Sequence, residues 1–448
     1  MPKNIILLSD GTGNSASKLF KTNVWRLYQA LDLSKTDPNN PDAPTQIAYY
    51  DDGVGTASFL PLALIGGAFG WGLKRNVLDL YTFLCRHYKT DDRVYGFGFS
   101  RGAFTIRMLT GFIANQGLVH AETEGELRHL AAEAFRAYRA ERYRGVIPGL
   151  FRPLRNLLLS LLYIITGRKR YRAEEKRTIP PIRFLGIWDT VAAYGLPFDE
   201  LTHAWNFIFP LSFPDSNLSD NVEHACHAMA IDDERLSLHP DIWNEKAGDY
   251  HKVPLGDRLT QVWFAGMHSN VGGGYPDDAL SGVPLNWIMD RGEQAGLVFL
   301  PDERQRLKET ACINGKQYDS RQGVAGIYRY LPRNIANLMH DDLEADHFPK
   351  IHESVLERIA NRVDGYAPIG LPQQYDVVAA NGSILPQRET PIQAEDRMNR
   401  QKRVWNLVWW KRLVYFITVA LFLLLATFPF YRKATPYYDG PLAVLDPF

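Results

Sequence analysis

Short apolar runs constrain this chain more than any other feature: each stops at a glycine-, aspartate- or serine-bearing turn, and the first three along the chain give way to residues at helical spacing. Residues 4–9 (NIILLS) stop at Asp10-Gly11-Thr12-Gly13-Asn14, residues 93–99 (RVYGFGF) at Ser100-Arg101-Gly102, and residues 182–188 (IRFLGIW) at Asp189-Thr190. Runs with little or no polar alternation read as strands buried on both faces. Residues 45–50 and 261–265 (QVWFA) are further strand candidates. Among them, 23–31, 77–87 and 103–113 carry apolar residues three and four apart, as at Leu80, Tyr81, Leu84 and Tyr88, which predicts helices. The alternation predicts an α/β fold with a mostly parallel sheet and helices on both faces.

The pattern breaks over residues 118–180, which read as a helical lid insertion. Residues 122–142 are a charged amphipathic helix, and 154–166 (LRNLLLSLLYIIT) are very apolar but too short to cross a bilayer comfortably. With arginines and lysines on both sides, this piece is either a buried cap helix or an interfacial segment touching anionic lipid. The catalytic domain is expected to occupy 1–345, with a polar, proline-containing linker and juxtamembrane region over 346–410. Residues 411–433 then read as a transmembrane helix before a short tail, 434–448. Within that helix 413–430 is a stretch of roughly 18 residues without a charge. Lys411, Arg412, Arg432 and Lys433 clamp it, with Trp405, Trp409, Trp410 and Tyr431 at interfacial depth. The N-terminal flank holds more basic residues, which places the large N-terminal part in the cytoplasm by the positive-inside rule. The first residues, MPKNIILLSDGTGN, have too short an apolar run for a signal peptide.

Lys+Arg and Asp+Glu are 50 each, so no global basic field favours nucleic acid. Cys85, Cys226 and Cys312 are few and odd in number, which argues against a disulfide framework.

Four segments carry candidate chemistry. Gly98-Phe99-Ser100-Arg101-Gly102 follows a strand and opens a helix, as a nucleophile elbow requires, and the helix N-terminus favours developing negative charge. A structural turn is the rival reading. His268 lies in a glycine-rich loop after a late strand, where a base reaches across to such a serine. Asp189 ends an apolar strand. It is either a helix N-cap or the acid that orients His268, with Asp232 and Asp233 as alternative acids. The turn after the first strand offers backbone N–H groups of Gly11 and Thr12 as oxyanion donors beside that of Arg101, while Asp10 holds the loop. Neither phosphate-loop signature is present. His224 and His227, three apart on an expected helix, make an incomplete zinc site and read as helix packing, so no metal and no cofactor are expected. Residues 66–72 (GGAFGWG) resemble a dinucleotide loop only superficially.

Six motifs occur in order: DGTGN at 10–14, DDGVGT at 51–56, GFSRGA at 98–103, GIWDTV at 186–191, HAMAIDDER at 227–235 and WFAGMHSNVGGGY at 263–275. The series, over about residues 1–340, resembles the domain-of-unknown-function α/β-hydrolase family that includes the catalytic domain of class-one type VI secretion lipase effectors. The resemblance implies a phospholipase-like serine esterase with Ser100, Asp189 and His268 as its triad and a phospholipid or other acyl ester as substrate. Asn270 stands where that family often has aspartate. The C-terminal span is not a feature expected of an exported toxin. Two other readings remain: a secreted antibacterial phospholipase effector, and a catalytically idle membrane scaffold.

Overall fold

The first apolar run becomes β1 (Asn4–Ser9), with all six residues buried. The computed structural model describes residues 2–11, 18–34, 45–53, 67–142, 171–172, 175, 177–192, 213, 216–245, 258–339, 348–385, 387 and 389–431. β1 pairs in parallel with β2 (Gln46–Asp51) on one side and β3 (Arg93–Phe99) on the other. The sheet continues through β4 (Ile182–Trp188), β5 (Ala225–Ala230), β6 (Leu259–Phe264), β7 (Lys350–His352) and β8 (Asp376–Val378), all parallel, and ends at antiparallel β9 (Ile384–Leu385). The spatial order is β2-β1-β3-β4-β5-β6-β7-β8-β9. The winding direction reverses between β1 and β3, and at such a switch point a crevice opens beyond the carboxyl ends of the strands.

The helices are α1 (Asn23–Ala30), α2 (Gly67–His87), α3 (Arg101–Gln116), α4 (Glu124–Arg142), α5 (His268–Gly272), α6 (Gly282–Gln294), α7 (Pro301–Thr310), α8 (Ile335–Leu338), α9 (Glu353–Ala360) and α10 (Pro391–Tyr431). Side-chain alternation along β1 assigns them to faces. Ile5 and Leu7 join residues of α2, α3 and α4 in one core, and Ile6 and Leu8 join α1, α6 and α7 in the other. Side chains such as Phe104 and Phe112, fully buried on α3, contribute about 2–3 kcal/mol each from apolar burial. A third core around Trp263, Ile351 and Val377 covers the β6–β8 end of the sheet.

Three expectations meet a different structure. The segment bearing His224 and His227, read as helical, runs instead into β5 (ACHAMA), a strand buried along its whole length. Its neighbours β4 and β6 supply both hydrogen-bonding edges, so tertiary pairing overrides the helical preference of alanine and methionine. The stretch read as linker carries β7, α9, β8 and β9, so the sheet runs on to Leu385. α4, inside the stretch read as a lid, belongs to the helical layer: Phe135 meets Phe112 of α3 edge-to-face at 5.4 Å. The apolar piece 154–166 lies outside the described residues.

The chain divides into two units, Met1–Gln387 and Arg388–Phe448. In the second, α10 is a single helix of 41 residues, about 60 Å long and twice the thickness of a bilayer core. The apolar 18-residue window of this helix has a mean hydropathy of 1.8 and none of that window is buried within the protein. The segment before 411, expected as linker, is helical from Pro391, where proline fits a first helical turn.

Candidate active site

β3 delivers Ser100 to the switch-point crevice. Ser100 has φ 58° and ψ −123°, a strained conformation for a residue with a Cβ, and it is held by surrounding packing. Its N–H donates to Trp188 O at 3.0 Å, and its own carbonyl accepts from Phe104 N at 3.2 Å as α3 begins. The two flanking glycines are required by space. A Cβ on Gly98 would lie 2.7 Å from Ala103 Cα, and one on Gly102 would lie 2.5 Å from Asp10 O. Strand, turn and helix are therefore packed too closely at this point for any side chain.

β6 delivers His268. The strand ends, Gly266 takes φ 101°, and α5 starts at His268 itself. The loop after β5 holds this backbone in place: Gly266 N–H donates to Asp232 Oδ2 at 2.7 Å and His268 N–H to Asp233 Oδ2 at 3.2 Å. Gly272 lets α5 lie directly on the Phe99 ring, which also packs against the imidazole at 4.7 Å between centroids. His268 Nε2 is 2.8 Å from Ser100 Oγ, and its Nδ1 is 2.5 Å from Asp189 Oδ2. Of the three candidate acids, Asp189 is the one that bonds the imidazole; Asp232 and Asp233 bond the loop that carries it.

β4 delivers Asp189, which also has positive φ, 38°, and is fully buried. Oδ1 accepts from Ala230 N–H at 2.9 Å. Arg333 closes over the carboxylate, with Nη1 at 2.7 Å from Oδ1 and Nη2 at 2.8 Å from Oδ2. Burial alone would push the Asp189 carboxyl up. The Arg333 guanidinium and the His268 hydrogen bond outweigh it and hold the group below the ordinary carboxylate range. Arg333 lies in YLPRN, a loop with no local signature of function, and sequence reasoning passes over it.

His227, expected on a helix, is fully buried in β5. Its Nε2 accepts from Thr190 N–H at 3.1 Å while Nδ1 faces Gln261 Oε1 at 3.3 Å. Burial holds its imidazole down to about 3, so it braces the turn after Asp189 as a neutral ring. Among the described residues, no group of three His, Cys, Asp or Glu is placed to hold a metal ion.

At β1, Asp10 is buried and accepts from Thr22 Oγ1 and Tyr50 OH, each at 2.6 Å. Gly11 N–H also donates to Asp10, at 2.6 Å. That N–H is therefore committed to the loop in this structure and not to a pocket at Ser100. Thr12 lies outside the described residues. Arg101 is the first residue of α3, where backbone N–H groups point out along the helix axis. Asn270 bonds its own loop and the 316–318 segment, accepting from Tyr318 N at 3.2 Å and donating to Lys316 O at 3.0 Å.

The sequence model of the family described as "T6SS, Phospholipase effector Tle1-like, catalytic domain" matches residues 3–291. The chain belongs to this family. The match takes in Ser100, Asp189 and His268 and ends before Arg333. Uncharacterized protein YEL023C of Saccharomyces cerevisiae is 29% identical over 247 residues, which is 52% of this chain and 31% of that protein. The matched part is thus about a third of this relative's length. A crystal structure of an uncharacterized protein from Pseudomonas aeruginosa aligns over 92% of this chain and 62% of its own, at 16% identity and a TM-score of 0.36.

Proposed function

We propose that this Tle1-like chain is an α/β-hydrolase-fold serine esterase that cleaves carboxylic esters, with phospholipid acyl chains as the substrate class. One observation carries the reading: the unbroken relay from Ser100 Oγ through His268 to Asp189, on three different strand ends at one end of the sheet. A structural turn at Ser100 would need neither the strained φ nor an imidazole nitrogen at 2.8 Å.

In this reading His268 Nε2 takes the Ser100 proton as Oγ attacks the ester carbonyl carbon. Asp189 holds the imidazole with Nδ1–H toward it and stabilises the imidazolium. The tetrahedral intermediate expels the lysolipid alkoxide, which takes the proton from His268. Water then repeats the sequence on the acyl-enzyme and releases the fatty acid. The N–H groups of Arg101 and Thr12 are the proposed oxyanion donors, each worth roughly 3 kcal/mol in the transition state. The apolar, exposed α10 supports residence at a membrane, and with it a lipid substrate.

The test is release of fatty acid from a panel of phospholipids and short acyl esters by the full chain in detergent. Activity that disappears in Ser100→Ala supports the proposal. A folded wild type that cleaves no acyl ester, or an equally active Ser100→Ala, refutes it.

A further inference from the structure

Asp189 divides its charge between two side chains, and the second does not belong to the relay. Arg333 is 1% exposed. Besides its two bonds to the carboxylate, Nη1 donates to Ala230 O at 2.6 Å and Nη2 to Leu238 O. The segment bearing it is clamped on both sides. Leu331 N donates to Glu234 O at 2.8 Å and Ile335 N to Gly370 O at 3.3 Å.

We propose that Arg333 is a positioning residue for the relay: it keeps the buried Asp189 ionised and fixes its carboxylate plane, so that His268 holds its proton on Nδ1 and aims its Nε2 lone pair at Ser100. The inference rests on the serine-hydrolase reading for its catalytic meaning, though not for its chemistry. A carboxylate removed from water is driven toward its neutral form unless a charge or hydrogen bonds hold it. A protonated Asp189 would donate to Nδ1, leave the imidazole proton on Nε2, and turn the base away from its task. The remaining support for the charge is thin. Ala230 supplies one N–H to Asp189, His227 and His239 behind it are held neutral by burial, and Asp233 and Arg235 neutralise each other. The guanidinium is the one permanent cation that touches the carboxylate among the described residues. A bidentate guanidinium also sets orientation, which an ammonium would not do as well.

The experiment uses the full chain in detergent with 15N-labelled histidine, assigned by loss of the His268 signals in His268→Gln. The imidazole shifts report the tautomer, and the rate of labelling by a fluorophosphonate reports function across pH. In Arg333→Gln the fraction of His268 protonated on Nε2 should rise at neutral pH. Labelling should fall about 100-fold there and recover as pH rises, moving the acid limb up by about two units. Arg333→Lys should restore the tautomer and the pH limb, which need the charge, but only part of the rate, which also needs the bidentate orientation. In an Asp189→Asn background, Arg333→Gln should cost little more, since no carboxylate is left for Arg333 to hold ionised. A folded Arg333→Gln protein with an unmoved tautomer and an unmoved pH limb overturns the proposal, as does a uniform rate loss at every pH. If Arg333→Gln does not fold, Asp189→Asn/Arg333→Gln should fold, because it leaves no unpaired buried charge, and should label like Asp189→Asn. A double variant that also fails to fold would overturn the proposal. The two readings fail separately. A tautomer switch in a protein that never labels sinks the hydrolase reading alone; labelling in wild type with neither shift sinks the role of Arg333 alone.

Discussion

Gly102→Ala is the sharpest test of the packing that presents Ser100. The added Cβ would sit 2.5 Å from Asp10 O and closer still to Ser9 O, both backbone atoms at the end of β1. Carbon and carbonyl oxygen ordinarily approach no closer than about 3.3 Å, so strand and helix must part by roughly 1 Å. Neither can yield cheaply. β1 is hydrogen-bonded on both sides, and α3 is buried along most of its length. Overpacking of this kind costs about 1–3 kcal/mol, and two backbone collisions put this site at the upper end. The functional loss should be larger than the stability loss implies. A 1 Å displacement of the elbow breaks the 2.8 Å contact between Ser100 Oγ and His268 Nε2, and misplacements of that size cost on the order of 100-fold in rate. The assay pairs a thermal melt with the fluorophosphonate labelling rate, measured well below the melting temperature. Gly125→Ala serves as the control, because no atom lies within 4 Å of its Cβ position on α4; it should stay within about 1 kcal/mol of wild type and label normally. A Gly102→Ala protein that melts and labels like the control would refute the argument that Ser100 is held by close strand–helix packing.

Further outcomes follow from particular groups. Asp189→Asn should lower the hydrolysis rate by something like 10⁴-fold while the protein still binds substrate, measured as kcat against KM. Burial raises the Asp232 carboxyl to about 6, so its ionisation opposes folding, and stability falls as pH rises from about 4 through 6. Asp232→Asn keeps an oxygen for Gly266 N–H and Tyr366 OH, both of which bond Oδ2, and should raise stability at pH 8 by roughly 1 kcal/mol with the gain gone by pH 4. Cys312 is exposed, Cys85 half-buried and Cys226 buried, and burial pushes the latter two thiols up to about 12, so a disulfide reagent at pH 8 should modify Cys312 first, Cys85 more slowly and Cys226 only on unfolding. A chain ending at residue 387 lacks α10 and should leave the membrane fraction; retention there would show a second lipid contact in the first unit.

What the sequence made legible follows from where local and tertiary signals agree. β1, β3 and β4 are short apolar runs ending in turn residues, and their bounds match the structure residue for residue. Ser100 and Asp189 stand out as candidates because each stands directly after such a run, and His268 because it lies in the glycine-rich loop that follows the run 261–265. β5 was not legible: Ala, Cys and Met have no strand preference of their own, and pairing on both edges decides their conformation. β7, β8 and β9 are two or three residues long, too short for any periodicity. Arg333 is invisible for a different reason. Its partner lies 144 residues away, and only the folded chain brings the two together. The turn of Gly11 toward Asp10 is equally a product of the assembled loop, since the glycine itself is compatible with either direction.

Every step of the proposed chemistry starts from Ser100 as the proposed nucleophile. The most direct measurement is peptide mapping by mass spectrometry after treatment of the folded full chain with a fluorophosphonate. A single phosphonyl adduct on Ser100, absent from Ser100→Ala and slowed in His268→Ala, is the expected result. An adduct on another residue, or none on folded protein across a range of pH and detergent, would contradict it.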